Sequence, residues 1–412
     1  MGRQPRLNRR PGRSSSAHLM GRPTPLQSAS PSVPVAMDQR TQHDGGGGAI
    51  DLAIVGCGAV VEGLYRRALE RLETRRIARV VALVDPSAAR TSAVGSHFRS
   101  ARAFATPEEA FALTRPVLVI VTSPPALHAE HTIAALAAGS HVLCEKPMAV
   151  DQSDAERMVA AARRADRILA IGMTRRMYPC LVEAQRLMAR SALGDDLRFV
   201  YREGHVYDWP VSTDAAFRRA TAGGGVLVDL GSHVLDVVAA LFGAPEVKAY
   251  ADDGQSAGVE ANALIDVATP RATGTVQLSW NQPLVGGLHV TGSAGELVLD
   301  ATRLDAILYR SRGGTWEKRP CNATWPRDLA LGGARASPRT HHDCIYYQLI
   351  QILRSIAYGE PAPVSGEQGL AIVSAIDACY QQATSLRIPW LTESEQAEAD
   401  ARHWRARRCA AA

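Results

Sequence analysis

A lysine stands at the end of a short apolar run in His141-Val142-Leu143-Cys144-Glu145-Lys146-Pro147. The run suits a buried strand, and Pro147 stops the strand from continuing. In an open parallel sheet ligands bind beyond the carboxyl ends of strands, so an ammonium at Lys146 could meet a small molecule there. A second group is Asp229, His233 and Asp236, spaced i, i+4 and i+7. That spacing places them on one helix face, opposite the apolar face of Leu235, Val238, Leu241 and Phe242. An imidazole one turn from a carboxylate can be held as a base near neutral pH, which is what a carbinol needs to lose its proton. Each group also has an ordinary reading: a solvated loop lysine, a capping aspartate, a half-buried histidine.

The elements around these groups favour the chemical reading. Ile50 to Val55 has strand character and runs into Gly56-Cys57-Gly58-Ala59-Val60-Val61. A helical stretch from Glu62 to about Glu73 follows, and then a strand from Val80 to Val84 closes on Asp85. In that context the first glycine permits a tight turn and the second lets a pyrophosphate approach the backbone, while the helix start offers free N–H groups to negative charge. Asp85 suits a ribose diol and would repel a 2'-phosphate, which favours NAD over NADP. The third glycine position holds Val61, a departure that affects packing and leaves the phosphate contacts intact. Strand and helix keep alternating through Val117–Val121, Ser140–Cys144 and Ile168–Ile171, with capping boxes expected at Thr106/Glu109 and Ser153/Glu156. After Gly172 the pattern becomes several period-two stretches between Leu197 and Tyr309, followed by helices over His342–Ala357 and Gly366–Ala383.

The expected fold class is therefore α/β: a Rossmann doubly wound parallel sheet followed by an α+β domain with an open, mostly antiparallel sheet. The domains are expected at 50–172 and 173–391. Residues 1–49 form an Arg-, Pro- and Gly-rich arm expected to be disordered, with Met37 as the expected start, and 392–412 a polar tail.

Composition narrows the function. The 46 Lys and Arg outnumber the 41 Asp and Glu, but seven arginines and only two acids fall within residues 1–50. The body is neutral, which argues against nucleic acid as a partner. Seven scattered cysteines suit a reducing compartment and neither a disulfide scaffold nor a metal site. Arg9 and Arg10 lack the apolar core of an export signal, and no apolar stretch is expected to reach the roughly 18 residues of a membrane span. The expected location is cytoplasmic.

Taken in order, the glycine turn with Asp85, Ser123-Pro124-Pro125-Ala126-Leu127-His128, Glu145-Lys146-Pro147, and Gly223-Gly224-Gly225 leading to Asp229 and His233 resemble the Gfo/Idh/MocA family of NAD(P)-dependent oxidoreductases. The resemblance covers roughly residues 50 to 390. It implies hydride transfer between a nicotinamide and a carbinol or ketone carbon of a sugar, sugar nucleotide or cyclitol. A non-catalytic dinucleotide-sensing regulator of the same fold is the alternative. The resemblance implies that Lys146 places the reacting hydroxyl, Asp229 orients the substrate and His233 is the acid/base. It further implies cofactor contacts from Gly56, Gly58, Ala59, Val60, Asp85, Ser123, Pro124, His128, Glu145, Lys146 and Arg175. Substrate contacts are implied for Lys146, Arg176, Trp209, Asp229 and His233, with NAD as cofactor and NADP admitted. A small polyhydroxylated substrate, a homo-oligomer (dimer or tetramer) and a cis Lys146–Pro147 bond complete the expectation.

Overall fold

The structure, a computed structural model, describes residues 48–209, 214–254, 259–300, 303–387 and 391–410. The expected arm lies outside the described residues except for its last two positions, and Met37 lies outside them.

The first sheet has six parallel strands: β1 (Ile50–Val55), β2 (Ala78–Val84), β3 (Arg102–Phe104), β4 (Leu118–Val121), β5 (His141–Cys144) and β6 (Leu169–Ile171). Their order is β3-β2-β1-β4-β5-β6. Helices α1 (Arg66–Thr74), α2 (Ala88–Gly95), α3 (Pro107–Thr114), α4 (His128–Ala137) and α5 (Gln152–Ala165) connect them. β4 and β5 are buried at every position, as their unbroken apolar runs require of strands covered on both faces. The strand order reverses between β1 and β4, so a crevice opens beyond their carboxyl ends, and the turns after β1, β4 and β5 border it.

Local signals decide the helix ends with one exception to expectation. Thr106 caps α3, accepting from Glu109 N at 3.5 Å. α5 is capped by Asp151, which accepts from Asp154 N at 2.8 Å, and not by Ser153. The aspartate two residues earlier reaches the free N–H first, and Ser153 is absorbed into the first turn. β3 was not expected, because two of its three residues are exposed and it carries no apolar pattern.

The second sheet has nine strands. It is built from β7 (Leu197–Gly204), β8 (Glu246–Asp252), β9 (Asn262–Ala268), β10 (Ala272–Ser279), β11 (Leu284–Thr291), β12 (Gly295–Leu299), β13 (Ala306–Ser311), β14 (Glu317–Pro320) and β17 (Thr384–Ser385), in the order β14-β13-β12-β11-β7-β10-β9-β8-β17. Among the described residues, only β7 with β10 and β8 with β17 pair in parallel in this sheet. Along β7 the residues Leu197, Phe199 and Tyr201 are buried while Arg198, Val200 and Arg202 face outward. The buried face packs on α6 (Pro179–Ala189) and α8 (Ser232–Phe242), with the Phe199 and Phe242 rings stacked at 5.3 Å. A short helix, α7 (Arg219–Ala222), precedes α8, and a small ribbon pairs β15 (Trp325–Pro326) with β16 (Arg335–Ala336). The long helix α9 (His341–Tyr358) packs on α1, and α10 (Gly366–Gln381) packs on α5, so the later chain helps cover the first sheet. A last helix, α11, spans Glu393–Ala410 where a polar tail was expected.

One expectation is corrected here. Arg219–Phe242 is long and apolar enough to cross a membrane by length and composition. Most of it is buried within the protein and it carries two aspartates, so it is the core element that supports the site.

Candidate active site

The turn after β1 shows why glycine is needed there. Gly56 has φ +95°, and a Cβ on it would stand 2.5 Å from the backbone N of Ser123 in the turn after β4. Gly58, by contrast, has nothing within 4 Å of where its side chain would point, which leaves room for a pyrophosphate against the backbone. Ala59 and Val60 begin the helix beyond it, and Val60 provides no side-chain cap, so the first N–H groups remain available to an anion. Val61 is fully buried in the third glycine position, and there the helix opens into a wide π turn, Val61–Tyr65. The wider turn accommodates a branched side chain where glycine would let the helix close on the strand.

Asp85 ends β2. Its Oδ2 accepts from Cys57 N and its Oδ1 from Ser87 N, each at 2.9 Å, which ties β2 to the glycine turn. A carboxylate has lone pairs beyond these two bonds, so a ribose diol can still be bound. Arg90 Nη1 lies 3.9 Å from Oδ2, a cation where a 2'-phosphate could also find one. These residues fit a dinucleotide. Gly56→Ala is expected to destabilise the protein by more than about 1 kcal/mol, since neither the positive φ nor the backbone contact can relax. A thermal melt and an NADH titration check it, and wild-type values in both would contradict the close packing of the two turns.

The Lys146 turn is locked from behind. The Lys146–Pro147 bond is cis. Tyr65, on the π turn, donates to Glu145 Oε1 at 2.5 Å, and Lys146 N donates to Glu145 Oε2 at 3.0 Å. Burial pushes the Glu145 carboxyl and the Tyr65 hydroxyl up from their ordinary pKa values. His128 is buried with Nδ1 2.8 Å from the Pro147 carbonyl and Nε2 2.8 Å from the Ser123 carbonyl. Burial lowers its pKa to about 4, so the neutral ring donates one proton and only one of those contacts is a hydrogen bond at a time. His128 and Glu145 were expected at the cofactor. The ring nitrogens of His128 and the carboxylate of Glu145 are instead engaged by protein atoms, and both residues brace the turns that border the crevice. Ser123 Oγ contacts His131 Nδ1 at 2.9 Å, and Pro124 leads into a single 3-10 turn, Pro125–Leu127.

Lys146 reaches across to the second half of the chain. Its Nζ donates to Asp229 Oδ1 at 2.6 Å and to the Asp229 carbonyl at 3.2 Å. Trp280 Nε1 donates to Asp229 Oδ2 at 3.2 Å. The surrounding protein pushes the Asp229 pKa up, but the Lys146 charge and these hydrogen bonds outweigh that and hold it below the usual carboxylate range. The Asp229 side chain is 38% exposed, so a ligand can still reach it.

His233 has its Nδ1 buried without a hydrogen-bond partner. Burial, then the charges of Lys146, Arg175 and His341, hold its pKa well below 6.5. The expected Asp229–His233–Asp236 set lies on one helical segment that begins in a π turn over Leu227–Gly231, but its carboxylates turn to other partners: the Asp229 oxygens go to Lys146 and Trp280, and Asp236 is buried against Arg176.

Two expected ligand contacts are ion pairs inside the protein. Arg175 forks onto Glu203 at 2.7 and 2.5 Å and touches Tyr201 Oη at 3.2 Å. Arg176 forks onto Asp236 with both bonds at 2.8 Å. Burial raises the Asp236 pKa, opposed by the Arg176 bonds and charge. Arg175 and Arg176, expected as cofactor and substrate ligands, are each committed to an internal carboxylate. Trp209 is 40% exposed, and its indole edge approaches Gly63 on the π turn. Trp280, Tyr65 and the Tyr178–His341 pair, joined at 2.9 Å, had no signal in the sequence that tied them to this site.

Comparisons with known proteins agree with this geometry. Residues 50–173 match the Gfo/Idh/MocA model described as an oxidoreductase family NAD-binding Rossmann fold, and residues 181–298 match the Gfo/Idh/MocA C-terminal domain. D-glucoside 3-dehydrogenase of Escherichia coli (strain K12) is 31% identical over 201 residues, 48% of this chain and 55% of that protein, so the chain spans about half of this relative. The scyllo-inositol 2-dehydrogenase (NADP(+)) IolW of Bacillus subtilis (strain 168) is 26% identical over 66% of this chain and 77% of its own length. Among solved structures, levoglucosan dehydrogenase in complex with NADH and levoglucosan has a TM-score of 0.68 at 18% identity, covering 81% of this chain and 97% of that one, a likeness of fold. The chain belongs to the Gfo/Idh/MocA family of oxidoreductases.

Proposed function

We propose that this protein interconverts a secondary alcohol and a ketone on a sugar or cyclitol ring with NAD(P) as redox partner. The observation that carries the reading is Lys146 Nζ meeting Asp229 Oδ1 at 2.6 Å, with the Lys146 charge acting on His233, whose buried Nδ1 has no hydrogen-bond partner among the described residues. When bound in the crevice held by the glycine turn and Asp85, the nicotinamide supplies the hydride acceptor or donor.

The remaining steps belong to the chain. Lysine has three N–H donors, and two point at Asp229, which leaves the third for the oxygen of the reacting carbon. That bond steadies the negative charge developing on the oxygen. Asp229, held by Lys146 and Trp280, accepts from a neighbouring hydroxyl and sets the ring's orientation. His233, kept neutral by its surroundings, takes the hydroxyl proton during oxidation and returns it during reduction. The names of the two relatives, one acting on a glucoside and one on an inositol, support a polyhydroxylated ring as the substrate class. Cys57, Cys144, Cys180, Cys321, Cys344 and Cys379 are free and buried, which supports a cytoplasmic location.

We also propose a homo-oligomer, assembled through the outward face of the second sheet. Val200, Leu264 and Leu308 stand exposed there, on strands from across the sheet. Val200→Glu should release monomers in light scattering without loss of fold; a wild-type protein already monomeric would contradict this.

The functional test is a panel of polyols, glycosides and cyclitols with NAD and NADP, followed at the nicotinamide absorbance band. Turnover with at least one ring polyol is expected. Tight dinucleotide binding with no turnover on any of them would favour a sensing role.

A further inference from the structure

The glycine run 223–225 is explained by what crowds it. A Cβ on Gly224 would stand 1.8 Å from Tyr380 Oη, and one on Gly225 would stand 2.0 Å from the Glu260 carbonyl oxygen. Glu260 is 1% exposed. Its Oε1 accepts from Gly225 N at 2.9 Å, Leu227 N at 3.1 Å and Tyr380 Oη at 2.7 Å, and its carbonyl accepts from Val226 N at 2.9 Å. These amides open the helical segment that carries Asp229 and His233, which has no side-chain cap of its own. Unpaired N–H groups at such an end need an acceptor, and a carboxylate also complements the helix dipole.

The next residue completes the arrangement. The Ala261 carbonyl accepts from Trp280 N at 2.8 Å, and Trp280 Nε1 is the group that holds Asp229 Oδ2. Two of the tethers of Asp229, the start of its own segment and the indole across from it, therefore trace to Glu260-Ala261.

We propose that Glu260, with Tyr380 as its partner, is a positioning residue that caps the Asp229 segment from outside and fixes the Asp229 carboxylate against Lys146. The proposal rests on reading Asp229 as the substrate-orienting group. Glu260→Ala removes the shared acceptor, so the first turn relaxes and Asp229 moves relative to Lys146. Glu260→Gln keeps an oxygen at the Oε1 position and preserves the cap.

The test compares these two variants with the wild type in kcat for a ring polyol, NADH affinity, and hydrogen–deuterium exchange of the amides at 225–229. Glu260→Ala is expected to lose about a hundredfold in kcat, the usual cost of roughly 1 Å of misplacement, with NADH affinity unchanged and exchange accelerated at those amides. Glu260→Gln is expected to keep most of the rate and the protection. Wild-type kcat in the alanine variant overturns the proposal. So does a glutamine variant as slow as alanine, or a rate loss matched by equal loss of NADH binding. If the alanine variant does not fold, Tyr380→Phe deletes one donor to the carboxylate, and an unchanged kcat and exchange pattern there would overturn it. A wild type that turns over no polyol removes the functional reading, while the exchange data still decide whether Glu260 is the cap.

Discussion

His233→Asn is expected to lower kcat by about a hundredfold or more while NADH affinity stays at its wild-type value. Asparagine retains the ability to hydrogen bond and loses the ability to exchange a proton near neutral pH, so the variant separates chemistry from packing. The pH profile adds a second check with a definite sign. Because burial and the nearby positive charges hold the imidazole pKa well below 6.5, the base form persists into acid, and the acid limb of kcat/KM for alcohol oxidation should fall below pH 6.5. An inflection at or above 6.5 that vanishes in the variant would contradict a histidine held neutral by its surroundings. Linkage runs the same way. The unfolded chain takes up a proton at this histidine below about pH 6.5 that the folded protein refuses, so the residue costs stability as the pH falls. His233→Asn should therefore lose less stability on acidification than the wild type does.

Lys146→Met should cost about a hundred- to a thousandfold in kcat, the scale seen when one preorganised donor to a developing oxyanion is removed. Two effects combine in it. The oxygen of the reacting carbon loses its ammonium, and Asp229 loses the charge that holds its pKa down within the protein. Without that partner the carboxyl should titrate at higher pH, so the variant's residual activity should change with pH over a range where the wild type is flat. The double variant Lys146→Met/Asp229→Asn should be only slightly slower than Lys146→Met alone, because the two groups act as one unit. Full additivity would mean that the 2.6 Å contact has no part in turnover. Arginine should not rescue position 146, since its planar fork cannot occupy the place of a compact ammonium whose two other bonds are already committed.

How far the sequence goes depends on how local the physics is. β4, β5 and the turn that delivers Lys146 were legible, because a fully apolar run ended by proline leaves little choice of structure. The glycine turn was legible for the same reason: a positive φ at Gly56 and open space at Gly58 are backbone demands. What failed was tertiary. Arg175 and Arg176 looked like free cations at the cleft because their partners, Glu203 and Asp236, lie 28 and 60 residues further on. Trp280 holds Asp229 from 51 residues away, and Glu260 and Tyr380 are separated by 120. The Asp229–His233–Asp236 reading paired the carboxylates with the imidazole, whereas Asp229 is held by Lys146 and Trp280 and Asp236 by Arg176. Asp151 capping α5 in place of Ser153 is a near miss of another kind, a choice between two good caps two residues apart.

The most direct test follows the hydrogen itself. A ring polyol found to be a substrate, deuterated at the reacting carbon, is mixed with the protein and oxidised cofactor, and the reduced cofactor is examined by mass spectrometry. One deuterium per reduced nicotinamide is expected, with none acquired from deuterated solvent when the substrate is unlabelled. Reduced cofactor without the label, or label incorporated from solvent, would contradict direct transfer at the Lys146–Asp229–His233 site.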